Sequence, residues 1–167
     1  MTENDLNMIE KHRSLHEKIK GEKEWKNIIP MISEEWKITK PAKSYLIQNI
    51  ERKFQIQLPK ELLTLYDQTN GVKDQFSYDL IFPVEVLIEK NTEMRTYDGF
   101  KDLYMPFDNI LFIGEYGNGD LFGYPINMNR KIRNRFIFIW NHENDSRKWA
   151  SMSIIDLFIR AKCGFFD

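Results

Sequence analysis

Three stretches carry side chains whose types and spacing could do chemistry. Gly114, Gly117, Gly119 and Gly123 crowd together as a phosphate-binding loop would. Such a loop needs a Gly-Lys-Ser/Thr step opening a helix, and a dinucleotide site needs a strand running into a helix. Here no Lys is present, and the flanking residues read as strand on both sides. The glycines therefore serve a tight hairpin and close packing. His142 stands beside Glu143 and Asp145, a set in which a carboxylate could orient a general base. Neighbouring residues on a loop point apart, however, and no activated Ser or Cys accompanies them, so an enzyme centred on His142 is the weakest reading. Oxygen ligands for a metal could come from Glu115, Asn118 and Asp120 or from Glu143, Asn144 and Asp145. Neither set has the spacing of a calcium loop. No metal site and no cofactor are expected. Arg130, Lys131, Arg133 and Arg135 form a basic run interleaved with Asn. It reads as a solvated connection that keeps a sheet edge from pairing. Direct nucleic-acid contact would need free aromatic platforms beside it, and the nearby aromatics look committed to a core.

Composition narrows the classes further. The chain has 167 residues, enough to bury one sizeable core, and its 42% hydrophobic and 29% charged content is that of a globular protein. A net charge of −1 supplies no global field toward nucleic acid or anionic lipid. With one cysteine, Cys163, neither an intrachain disulfide nor a Cys-based zinc site can form. The first residues hold no apolar targeting segment, and no run is long enough to span a bilayer. The cytoplasm is the expected location, and neither a membrane nor a small-molecule substrate is expected as a partner.

The elements that must position these groups centre on residues 106–140. Ile110–Tyr116 and Leu121–Ile126 flank Gly117-Asn118-Gly119-Asp120, where Asn and Gly tolerate the positive φ of a hairpin turn. Phe136–Trp140 is a third strand, and both alternating sets are apolar, as in a strand covered on both faces. This gives a central antiparallel meander with Trp140 mostly buried. Before it, helical spacing links Leu46, Ile47, Ile50 and Phe54. A second helix opens at Leu58-Pro59 and carries Leu62, Leu65, Tyr66 and Thr69, with Asn70-Gly71 as its left-handed cap. Phe76–Phe82 reads as a strand. Pro83 opens a helix with Val84, Leu87, Ile88, Asn91 and Met94 on one side. Residues 141–148 are too polar for core, Trp149 begins or precedes a short strand, and Ser153 with Asp156 caps a terminal helix. The N-terminal residues form a weakly amphipathic helix, with Met8, His12, Leu15 and Ile19 on one stripe and a cap near Asn4 or Asp5. Gly21 breaks it, and Trp25 and Trp36 read as anchors to a core.

In their order these elements resemble the SUKH superfamily, a group of bacterial immunity proteins that includes a yeast cell-wall-synthesis regulator. The resemblance rests on LPKELLTLYDQTNGV, IFPVEVLIEKN, MPFDNILFIGEYGNGDLFGYPI and IFIWNHENDSRKWASMSIIDLF. It implies an α+β fold, a strongly bent antiparallel β-sheet meander packed with helices, over residues 41–167. Residues 1–40 become an N-terminal helical extension, of which residues 1–24 are expected to be separable. It also implies binding to a cognate toxin domain, often a nuclease, with no catalysis. A regulatory protein–protein interaction module without a toxin partner is the alternative.

Against that implied role the carboxylates stand out. Asp108, Glu115 and Asp120 flank or interrupt the central strands, and Glu143 and Asp145 follow the Trp strand. Loops of a meander return to the same two ends of the sheet, so several of these groups could share one acidic rim. Such a rim would suit a basic partner, because complementary charge steers encounter. Tyr116 and Tyr124 are the expected aromatic contacts on it.

Overall fold

The computed structural model describes residues 2–132 and 135–166. Its element order is α1 (Glu3–Ile19), α2 (Trp25–Ile32), β1 (Lys37–Ile38), α3 (Ser44–Phe54), α4 (Lys60–Tyr66), β2 (Val72–Lys73), β3 (Asp79–Ile81), α5 (Val84–Thr96), β4 (Ile110–Tyr116), β5 (Asp120–Pro125), β6 (Ile137–Trp140), β7 (Arg147–Ser151) and α6 (Ile154–Cys163). Two antiparallel sheets result, ordered β1-β2-β3 and β4-β5-β6-β7, so the fold is α+β. The central meander is as the sequence predicts. Leu111 pairs with Tyr124, Leu121 with Trp140, and Trp140 is only 3% exposed.

Strand β4 is the seam of the molecule. Between Phe112 and Gly114 its register slips, which leaves Ile113 as the extra residue of a bulge. The Ile113 carbonyl accepts a hydrogen bond from the Phe82 N–H (2.8 Å), just beyond β3. One residue on, Gly114 lies so close to the Leu80 carbonyl that any Cβ would overlap it. The sheets therefore abut through main chain, and only glycine fits there. The Phe112 N–H and C=O, on the edge away from β5, meet the side chain of Asn91 on α5. Asn91 Oδ1 accepts from Phe112 N (2.8 Å), and Nδ2 donates to Phe112 O (2.7 Å) and Leu87 O (2.9 Å). This explains why an Asn interrupts the apolar face of α5: its amide substitutes for a missing strand. Arg95, one helical turn on, donates to Ile110 O and Phe107 O and stacks on Phe54 (4.3 Å). Burial, with Arg130 nearby, pushes its guanidinium pKa down to about 10.

Several local expectations are corrected. Helix α1 is capped by Thr2, not Asn4 or Asp5. Thr2 Oγ1 accepts from Asp5 N (3.2 Å), and the Asp5 carboxylate accepts from Thr2 N (2.6 Å), a reciprocal capping box. Gly71 does not cap α4, which ends at Tyr66. Its φ of +90° instead serves a close pass, where a Cβ would sit 2.7 Å from the Ile81 carbonyl. The strand read over Phe76–Phe82 is only Asp79–Ile81, because Asp74 draws the residues before it into a loop. Strand β7 occupies part of the stretch read as polar connection. As an edge strand it carries Lys148 and Trp149 outward, so it lacks apolar alternation.

Residues 25–38 share the core of the rest. Trp25, Ile28, Ile29, Ile32 and Trp36 are buried in the same cluster as Phe158 and Leu65, and β1 pairs with β2. The Trp25 Nε1–H donates to Thr64 Oγ1 (3.1 Å), the Trp36 Nε1–H to Gln75 Oε1 (2.9 Å), and both rings meet Phe158 edge-on. Helix α1 is different: Ile19 is its one buried residue, and Leu15 packs partly against the core. Deleting residues 1–20 should therefore leave a cooperatively folding chain, weakened by roughly 2–4 kcal/mol because the apolar surface under Leu15 and Ile19 returns to water. Denaturant unfolding would test this, and loss of the cooperative transition would make α1 part of the core.

Candidate functional site

The hairpin turn between β4 and β5 and the loop between β6 and β7 lie at one end of the sheet, because Tyr116 pairs with Asp120 and Leu121 with Trp140. Gly119 (φ +96°) closes the turn, and Asn118 Oδ1 accepts from Asp120 N (3.0 Å). Asp120 is 5% exposed and turned inward. Its carboxylate accepts from the His142 ring Nδ1 (2.8 Å), the His142 backbone N–H (3.1 Å) and Asn141 Nδ2 (3.2 Å). Burial pushes its pKa up, but the bonds from His142, Asn118 and Asn141 outweigh it and hold the carboxyl below its ordinary value. An ionised carboxylate only accepts, so the imidazole carries its proton on Nδ1. His142 and Asp120 thus clamp one loop to the next.

Asp145 works the same way on the other side of that loop. It accepts from Trp140 Nε1 (2.7 Å), Met105 N (2.7 Å) and Arg147 (3.3 Å). Burial raises its pKa, and these bonds with the Arg147 charge bring it below the usual value. Glu115 is half-buried and accepts from Asp79 N (3.3 Å).

The seven residues of the expected rim are therefore not one surface. Asp120 and Asp145 are structural ties, since their oxygens are spent on protein donors. Tyr124 is wholly buried, because β5 is covered on both faces, and it has no place on a rim. Asp108 is exposed but precedes β4 at the opposite end from the turn. Glu143 remains exposed in the β6–β7 loop, and Tyr116 is half-buried against Phe122 and Phe166. In the basic run, Arg130 is bound to the Phe54 carbonyl (2.6 Å) and the Asp108 carbonyl (3.2 Å), which makes it a brace. Arg133 lies outside the described residues.

A feature that the sequence reading missed stands next to the turn. Residues 74–78 form a loop that Asp74 shapes: its Oδ1 accepts from Phe76 N (2.8 Å) and Tyr78 N (2.9 Å), and its own N–H donates to Tyr78 O (2.9 Å). Ser77 takes a φ of 74°, a left-handed conformation uncommon outside glycine. Phe76 is thereby held outward at 72% exposure and Tyr78 at 40%, with the Tyr78 ring against Gly117. Phe76, Tyr78 and Tyr116 line a cleft of about 340 Å³, together with Trp36, Lys11 and Lys162. The aspartate two residues before Phe76, a residue type that bonds backbone N–H groups ahead of it, was the available signal.

The SMI1-KNR4 cell-wall family model (SUKH_6) matches residues 44–158, from the start of α3 into α6. The chain belongs to the SUKH family. No curated protein matches it. SUKH proteins are generally associated with toxin immunity and are generally non-enzymatic. In this SUKH chain the matched segment contains both the Asp74–Tyr78 loop and the β4–β5 turn, while α1, α2 and β1 precede it. Among the described residues, no helix is long and apolar enough to cross a membrane.

Proposed function

We propose that this SUKH chain is an immunity protein that binds a cognate polymorphic toxin domain, of the nuclease class, and occludes it stoichiometrically. The observation that carries the reading is the pre-shaped aromatic loop beside the hairpin turn. A large apolar side chain held outward leaves Phe76 72% exposed in the free protein. That cost is recovered when a partner covers it, and the ordering entropy is already spent by the Asp74 bonds. Aromatic anchors of this kind dominate interface energetics. Glu143, exposed in the neighbouring loop, supplies the charge that would steer a basic partner, with Glu115 and Tyr116 at its margin.

Binding to a candidate toxin domain, taken from a toxin gene neighbouring this one, is the test. Phe76→Ala should weaken affinity by about 30-fold or more, the scale of a hot-spot truncation, with an unchanged melting temperature. Glu143→Lys should slow association at low salt, and Asp108→Lys, at the far end of the sheet, should change neither quantity. Wild-type affinity in Phe76→Ala and Glu143→Lys together would move the interface elsewhere. Failure of the neighbouring toxin to bind the wild-type chain would favour a regulatory interaction module instead.

A further inference from the structure

Helix α1 carries two histidines one turn apart, His12 and His16, and both face a carboxylate on α6. His12 Nε2 lies 2.9 Å from Asp156 Oδ1, and His16 Nε2 lies 3.6 Å from the same oxygen. The ligand atoms of the three residues all fall within 4.8 Å of one another. Around a tetrahedral zinc ion with bonds of about 2.0–2.1 Å, ligand atoms are about 3.3–3.4 Å apart, and the separations of 2.9 and 3.6 Å bracket that value.

The surroundings also hold the carboxylate in place. Asp156 Oδ2 accepts from Arg160 Nε (3.0 Å) and from Met152 N (3.3 Å), so Oδ1 alone is turned toward α1. Arg160 is itself fixed, its guanidinium lying over Trp149 (4.5 Å) and Phe165 (5.1 Å). The His12 ring is set edge-on to His16 (centroids 4.6 Å apart) and to Phe165 (5.6 Å). Hydrogen-bonded partners behind a ligand are what orient it in protein metal sites. The His16 side chain is 41% exposed, against 22% for His12 and 12% for Asp156, so one side of the group is open to an entering ion and to a water ligand.

We propose that His12, His16 and Asp156 form a site for a borderline divalent cation of the zinc type, which fastens α1 to α6. Two imidazoles and one carboxylate oxygen suit zinc and disfavour magnesium and calcium, which require oxygen sets. A three-ligand site leaves the fourth position to water. For the ion to enter, His12 shifts its proton from Nε2 to Nδ1, and the metal takes the place of the Nε2–H bond to Asp156.

Calorimetric titration of the full chain with zinc chloride should show one equivalent bound, and magnesium chloride should give no heat. At a hundredfold excess of zinc over Kd the melting temperature should rise by about 5–10 °C. His16→Ala, which keeps the His12–Asp156 bond, should fold normally in metal-free buffer and lose both the stoichiometric binding and the rise. His12→Ala should lose them too, and cobalt(II) added to the wild type should give visible absorption that neither variant shows. Absence of zinc uptake by the wild type would overturn the proposal. So would uptake and a melting rise retained in His16→Ala, since the ion would then sit elsewhere, for example on His142 or Cys163.

Discussion

Phe112→Ala should destabilise the protein by about 3–5 kcal/mol, measured by denaturant unfolding. The side chain is fully buried, and its ring packs against Phe107 (5.5 Å), Trp140 (5.8 Å) and Phe138 (6.4 Å). These neighbours come from β6 and from the segment before β4, each tied by its own backbone bonds, so they cannot collapse into the space left behind. Trp140 is further pinned through its indole N–H to Asp145. Native domains hold together by only about 5–15 kcal/mol, so this substitution should remove a large share of the total. A loss under ~1 kcal/mol would mean that the aromatic cluster repacks freely.

Asn91→Leu should cost a comparable amount, about 2–5 kcal/mol, for a different reason. Leucine keeps the branched shape, is somewhat larger, and improves the apolar face of α5. It leaves the buried Phe112 N–H and C=O without partners, each at about 1–3 kcal/mol. Asn91 is 1% exposed, so water cannot stand in without rearrangement. Hydrogen exchange separates this from a packing effect: the Phe112 amide should lose protection beyond what the global loss explains. A variant as stable as the wild type would mean that the β4 edge finds another partner.

The contrast between these two residues shows what the sequence discloses. Alternation and hairpin chemistry are local, so β4, β5 and β6 can be read from Ile110–Trp140 without coordinates. Pro83 and Ser153 mark helix starts by equally local chemistry. Asn91 cannot be read that way, since nothing near it says that its amide will meet a strand edge. Burial misleads for the same reason at Tyr124, where only the elements packed over β5 decide that a tyrosine lies inside. Asp120 and Asp145 have the composition of a charged rim, but donors from other loops turn their oxygens inward. Phe76 fails in the opposite sense: its aromatic neighbours suggest a strand, and the Asp74 carboxylate makes a loop. The i, i+4 spacing of His12 and His16 is visible in the sequence, but Asp156, the group that gives it meaning, lies on another helix far along the chain.

The aromatic loop rests on main-chain bonds to Asp74, and the Phe76 side chain takes no part in them. Below it, the seam at Leu80, Phe82, Ile113 and Gly114 is also built from backbone atoms. Position 76 is thus mechanically uncoupled from the architecture that presents it. A lineage facing a partner that keeps changing its surface could exchange this side chain freely while leaving foldability untouched. Recognition could then drift quickly on a frame that itself evolves slowly.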